Sequence, residues 1–313
     1  MMRSRRVVRS ALWPAFAVFS VVVLSAALVV AQEYPEPEGM PLPPGSLVYP
    51  LAPDHEATRG LPATENGLPN IVITGYWPPT NDMLRPFSPN LDQNPAGWVG
   101  SDWEGRGYNI YAFFPEFPNG LGRGEGDFEV DYQDTSADFW AVTGVLSPVA
   151  VVTTGRTSNN HHWRLEGGAR NYTPMSWAAD YLVPTRPTPE LPIASEPAPY
   201  DRMSTLPIDD IIAAVNLSGS AATPFATALD TSNFLCDFNG YHANWYRALH
   251  LAAGDPTPCR VAGHIHVGYA MTLADAELAA EATLRAVIAY LDALVLVDGF
   301  ESGDLAAWTA SVP

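Results

Sequence analysis

The sequence predicts an α/β protein: a three-layer α/β/α sandwich around a mostly parallel, mixed sheet. Three observations carry that expectation. Short continuous apolar runs recur, as strands buried on both faces require. Segments with apolar residues at helical spacing lie between them. Glycine and proline clusters punctuate the boundaries, and the resulting alternation of strands and helices is the signature of a layered α/β fold.

Taken in order, the first strand is expected at Asn70-Ile71-Val72-Ile73-Thr74, ending at Gly75. Similar runs lie at Tyr108 to Phe114, Val149 to Thr154 and Val261 to Val267. Helices are expected over Ser136 to Leu146, Ile208 to Val215 and Tyr241 to Ala253. A final helix starts beside Thr272, a capping residue with Asp275 three positions on. Its apolar periodicity runs through Leu294 without proline or glycine. Residues 119–127, rich in glycine, and 184–207, rich in proline, read as loops or insertions.

The chain of 313 residues is long enough for a substantial core. It is 47% hydrophobic and 16% charged, which excludes a wholly disordered polymer. No lysine occurs, so all 16 cationic residues are arginine. That excludes Schiff-base chemistry, a pyridoxal phosphate anchor and a G-K-[ST] phosphate loop. The formal charge is −18. Arg3, Arg5, Arg6 and Arg9 precede an apolar stretch from Ala11 to Ala31, so the remainder carries 12 − 34 = −22. So acidic a body repels phosphate backbones, and nucleic acid is not an expected partner. The cationic start, apolar middle and small residues at Val29-Val30-Ala31 read as a signal peptide over residues 1–31, with an uncleaved anchor as the alternative. A secreted or periplasmic chain without stable membrane association after cleavage is the expectation. Residues 32–68 read as a proline-rich linker, 69–296 as the folded domain and 297–313 as a short tail containing Trp308.

Two cysteines in an exported chain invite a disulfide between Cys236 and Cys259. The predicted helix argues against it. About 16 helical residues separate the two ends by about 24 Å, whereas a bridge needs Cα atoms within about 7 Å. Cys236 at a helix N-terminus instead has the position of an activated thiol, because aligned peptide dipoles favour the thiolate. A thiolate nucleophile needs a base and a group to orient that base. His264 and His266 share one face of the strand Val261–Val267. His266 sits at its C-terminal end, where ligands bind in parallel sheets, and His264 reads as an interior, hydrogen-bonded residue. Glu166 is the carboxylate to pair with His266, and is placed in a loop that follows the strand Val149–Thr154. As a lone residue it also reads as a solvated loop acid.

Together these segments resemble the pyroglutamyl peptidase I (pyrrolidone-carboxylate peptidase) family of cysteine peptidases. Thr74-Gly75-Tyr76-Trp77-Pro78 is similar to the family's T-G-F-x-P-F turn. Gly155, followed by Glu166, Ala169 and Asn171, is similar to its glycine-rich loop and E-R-x-A-x-N motif. Phe234-Leu235-Cys236 is similar to Y-L-C, and His266-Val267 lies where the family has H-V-P. Departures are Gly167 for arginine, Thr231-Ser232 for Ala-Gly, Asp237 for asparagine and Gly268 for proline. The resemblance spans residues 70–295. It implies a thiol peptidase that removes pyroglutamate from peptide N-termini, with Cys236 as nucleophile, His266 as base and Glu166 as orienting acid. Tyr76 and Trp77 would line the lactam pocket, with a peptide as partner and no cofactor. Two alternatives stay open: a non-catalytic binding protein on the same framework, and a zinc hydrolase using His161, His162, His264 and His266 with Glu166, Asp230 or Asp237.

Overall fold

The computed structural model describes residues 36–51, 61, 66–182, 197–229, 232–251, 255 and 257–300, with side chains of the last helix described through Leu294. The expected signal segment, Asp230, Thr231 and Trp308 lie outside the described residues. Among the described residues, no helix is long and apolar enough to cross a membrane.

The strands are β1 Asn70–Thr74, β2 Asn109–Phe113, β3 Pro115–Glu116, β4 Glu125–Gly126, β5 Ala150–Thr157, β6 His162–Glu166, β7 Gly168–Asn171, β8 Tyr200–Met203, β9 Thr223–Thr227 and β10 Val261–Gly268. The helices are α1 Tyr132–Leu146, α2 Ile208–Leu217, α3 Leu235–Leu249 and α4 Leu273–Phe300. Six strands form one sheet in the order β2-β1-β5-β10-β6-β9. β2, β1, β5 and β10 run parallel. β6 is antiparallel to β10 and parallel to β9, which makes the sheet mixed. The pairs β3–β4 and β7–β8 are separate antiparallel ribbons.

β1, β2 and β10 are buried along their whole length because both faces are covered. Ile71, Ile73, Val152 and Ile265 face a cluster built with α2 and α4. Val72, Val151 and Ala262 face a second cluster built with α1 and α3. Period-two alternation of side chains thus divides the core into two halves and yields the three layers the sequence predicts.

The differences from expectation have local causes. α1 begins at Tyr132 rather than Ser136, because the Asp131 side chain accepts from Asp134 N at 2.7 Å and caps the first turn. α3 begins six residues before Tyr241. Its apolar stripe starts with Phe238, which packs on Tyr132 and Trp177, so Cys236 lies inside the first turn and not before it. α4 starts where expected, its entry held by Thr272 Oγ1 accepting from Asp275 N at 3.2 Å. It continues past Leu294 to Phe300. The proline-rich stretch is not all loop: residues 200–203 form β8.

Residues 36–51 of the proline-rich linker pack on the domain. Leu121 N donates to Met40 O at 2.7 Å, and Arg85 Nη2 donates to Leu47 O at 3.1 Å. Arg85 also stacks on Tyr49, and it is buried in ion pairs with Asp82 (3.0 Å) and Glu116 (2.5 Å). Prolines remove donors from this segment, but its remaining backbone groups find partners across the fold. The segment is therefore part of the packed structure rather than a spacer.

α1 and α3 meet around His242, whose Nδ1 donates to Phe238 O (2.8 Å) while Nε2 lies 3.0 Å from Ser136 Oγ. Burial pushes its pKa down to about 4, and the bond to Phe238 O only partly opposes this. Between the ordinary histidine value of 6.5 and about 4, the unfolded chain binds a proton that the native chain refuses, so this site loses stability as pH falls through that window. Thermal unfolding of His242→Phe is expected to converge on, or overtake, wild type as pH is lowered from 6.5 to 4. A stability difference independent of pH would contradict the assignment.

Candidate active site

Three elements converge on one face of the sheet. β10 places His264 and His266 on the face covered by α3, with Ile265 and Val267 in the opposite core. The first turn of α3 brings Cys236 over this face. β6 contributes Arg164 and Glu166, whose alternate neighbours Trp163 and Leu165 point into the other core half.

Two glycines permit the approach. A Cβ on Gly155 would sit 2.0 Å from Cys236 Sγ, and one on Gly240 would sit 2.9 Å from His264 Cβ. A side chain at Gly155 would therefore occupy the space of the thiol, and one at Gly240 would lever α3 off β10.

Cys236 Sγ and one ring nitrogen each of His264 and His266 all lie within 4.8 Å of one another. The two rings meet edge to face, centroids 4.6 Å apart. His266 Nδ1 lies 2.8 Å from Glu166 Oε1 and also 2.8 Å from Arg164 Nη2. One ring nitrogen cannot donate and accept at once. Donation from Nδ1–H to the carboxylate satisfies the anion, while Arg164 reaches the same oxygen through Nε at 2.5 Å. Thr227 Oγ1 donates to the other oxygen, Oε2.

Glu166 is 1% exposed. Burial raises its pKa, but the bond to His266, the charges of His266 and Arg164, and the Thr227 hydroxyl outweigh this and hold it below the ordinary value. It is thus neither a solvated acid nor a loop residue. It closes β6, and the antiparallel register sets it one step beyond the Leu165–Ile265 pair, at the level of His264. The sequence reading missed β6 because its pattern, His162-Trp163-Arg164-Leu165-Glu166, carries polar groups on the face that builds the site.

Cys236 and Cys259 are not joined in a disulfide, and each is buried. Burial pushes the Cys259 thiol up to about 12, and it lies at the opposite end of α3, before β10. Cys236 has the better electrostatic position, in the first turn of a 15-residue helix.

Tyr76 and Trp77 are both buried. Tyr76 Oη is 3.0 Å from Thr135 Oγ1, directed to α1. Trp77 stacks on Phe234, two residues before Cys236, and its Nε1 donates to Gly122 O at 2.7 Å. Trp77 therefore borders the segment leading to the thiol, and Tyr76 packs with its hydroxyl toward α1.

Among the described residues of the metal set drawn from the sequence, only His264 and His266 fall in a cluster with metal-ligand spacing. His161 is exposed, His162 packs its ring on Phe225, and Asp237 accepts from Arg170 N at 2.7 Å. Among the described residues the one cluster with mutual metal-ligand spacing is Cys236, His264 and His266.

Solved structures sharing this arrangement of strands and helices include the pyrrolidone carboxyl peptidase from Thermococcus litoralis. It matches with a TM-score of 0.51 and 18% identity over 72% of this chain and 96% of that one. The fold is that of the pyrrolidone carboxyl peptidases. Pyroglutamyl peptidase I from Bacillus amyloliquefaciens matches at a TM-score of 0.50 and 13% identity, over 71% of this chain and 95% of its own. A mutant pyrrolidone carboxyl peptidase from Pyrococcus furiosus matches at 0.50 and 14%, over 71% and 99%. No family model matches the chain. No curated protein matches it either. The pyrrolidone carboxyl peptidase fold is thus covered almost whole at very low identity, so backbone topology is what these chains share.

Proposed function

We propose that this chain is an exported cysteine-peptidase-like hydrolase that removes N-terminal pyroglutamate from peptides. The observation that carries the reading is the contact of His266 Nδ1 with the buried Glu166 carboxylate at 2.8 Å, on a ring that also has a nitrogen within 4.8 Å of Cys236 Sγ. Nucleophile, base and orienting acid thus come together from α3, β10 and β6.

In the proposed reaction, Cys236 Sγ attacks the carbonyl carbon of the pyroglutamyl residue while His266 Nε2 takes the thiol proton. Glu166 holds the ring with Nδ1 protonated and stabilises the imidazolium. Backbone N–H groups at the start of α3 would be the donors for the tetrahedral oxyanion. Collapse of that intermediate expels the peptide amine, which takes the proton from His266, and leaves a thioester on Cys236. Water then attacks, with His266 as base, and pyroglutamate leaves as the thiol is regenerated.

The test is release of a fluorogenic amine from a pyroglutamyl amide under reducing conditions, with free-amino glutamyl and prolyl amides as controls. Turnover confined to the lactam substrate is expected. Folded protein with an alkylatable Cys236 and no turnover across a peptide library would overturn the reading in favour of a binding protein on the same framework.

A further inference from the structure

His264 has no part in the proposed hydrolysis, yet it sits in the same cluster. Its Nδ1 is 2.8 Å from Thr153 Oγ1, and that hydroxyl lies 3.3 Å from Gly263 O. With the hydroxyl proton given to the carbonyl, Nδ1 carries the ring proton and Nε2 is left with its lone pair. His264 is 1% exposed, and Nε2 has no hydrogen-bond partner. A buried acceptor left unpaired is destabilising, so its persistence beside a thiol and a second imidazole calls for a ligand.

We propose that Cys236 Sγ, His264 Nε2 and His266 Nε2 form a binding site for a thiophilic divalent cation, Zn²⁺, that reversibly blocks the thiol. One sulfur and two imidazoles are a borderline-soft donor set that suits Zn²⁺, and a tetrahedral ion leaves the fourth position to water. Tetrahedral zinc holds such donors about 3.4–3.6 Å apart. One nitrogen of each ring and Cys236 Sγ already lie within 4.8 Å of one another, and small side-chain rotations close the difference. Both rings have their outer nitrogen anchored, His266 by Glu166 and His264 by Thr153, as metal-bound histidines do. On binding, hexaaqua Zn²⁺ gives up five waters, takes the three protein donors and keeps one water, the Cys236 thiol proton passes to solvent, and no electron moves. The site stands on donor geometry and is independent of the peptidase reading.

The experiment is titration of the reduced full chain with Co²⁺ as a spectroscopic probe, followed by displacement with Zn²⁺. One equivalent with a thiolate-to-cobalt charge-transfer band is expected. Cys236→Ser should abolish the band and Cys259→Ala should retain it. His264→Phe should weaken binding by on the order of 100-fold, and Thr153→Val by about 10-fold. Wild-type protein supplies a readout that no variant can confound: Zn²⁺ should protect Cys236 from iodoacetamide, with the alkylated residue mapped by mass spectrometry. Absence of a charge-transfer band in wild type, equal alkylation with and without Zn²⁺, or undiminished affinity in folded His264→Phe would each overturn the site. Pyroglutamyl hydrolysis that Zn²⁺ leaves untouched would defeat this proposal alone, and cobalt binding without hydrolysis would defeat only the peptidase reading.

Discussion

Cys236→Ala is expected to reduce hydrolysis of a pyroglutamyl amide by at least about 10³-fold and to eliminate the thioester intermediate, while Cys259→Ala leaves both in place. The two thiols differ by environment rather than by accessibility, since both are buried. Cys236 lies in the first turn of α3, where the helix dipole favours an anion, and within 4.8 Å of two imidazole nitrogens. Cys259 lies beyond the other end of α3, and burial pushes its thiol up to about 12, so it carries negligible thiolate at neutral pH. Its alanine variant trades a small apolar group for a small cavity and should lose stability without losing turnover. Single-turnover mass spectrometry of the acyl-enzyme, beside steady-state rates for both variants, checks the pair. Equal activity of Cys236→Ala and wild type would remove the thiol from the mechanism.

The second large effect is expected from Glu166→Gln. This carboxylate binds His266 Nδ1, Arg164 Nε and Thr227 Oγ1 at once, inside the sheet. Its neutral isostere leaves the Arg164 guanidinium without its anion and permits the imidazole to take the wrong tautomer. A loss of about 10²–10⁴ in kcat follows from the loss of orientation, and about 2–4 kcal/mol of stability from breaking a buried pair. The pH dependence has a defined sign. Because the folded pKa lies below the ordinary carboxylate value, the stabilisation is complete above the unfolded value near 4.5 and is lost as pH falls through the lower folded value. The stability gap between wild type and Glu166→Gln should thus be widest at neutral pH and narrow in acid. Denaturant titrations across that range measure it. A gap that widened in acid would mean that the carboxylate is protonated in the native state.

Much of the architecture was legible in the residues. Asn70-Ile71-Val72-Ile73-Thr74 and Val261 to Val267 announced buried parallel strands, since a continuous apolar run suits a strand covered on both faces. The alternation of His264 and His266 with Ile265 announced a shared face. β6 and β9 escaped because they lie at the sheet's mixed edge, where polar residues face the site and apolar periodicity is broken. The packing of residues 36–51 escaped for another reason: its contacts are scattered hydrogen bonds and two buried cations, Arg85 and Arg156, from elements at least 35 positions away in the chain.

The sequence by itself determined the layered α/β class, the strand that carries the two histidines, the separation of Cys236 from Cys259, and an acidic, lysine-free body. These follow from composition and from periodicities of two and 3.6 residues, which are local properties of the chain. Only the tertiary structure decided that Glu166 lies on a strand beside β10, that Arg164 shares its oxygen, and that His264 stands unpaired at Nε2 beside the thiol. Strand register, and the close approach that Gly155 and Gly240 permit, place those groups within bonding reach. Neither is encoded by spacing along the polymer, because each depends on which distant segment arrives alongside.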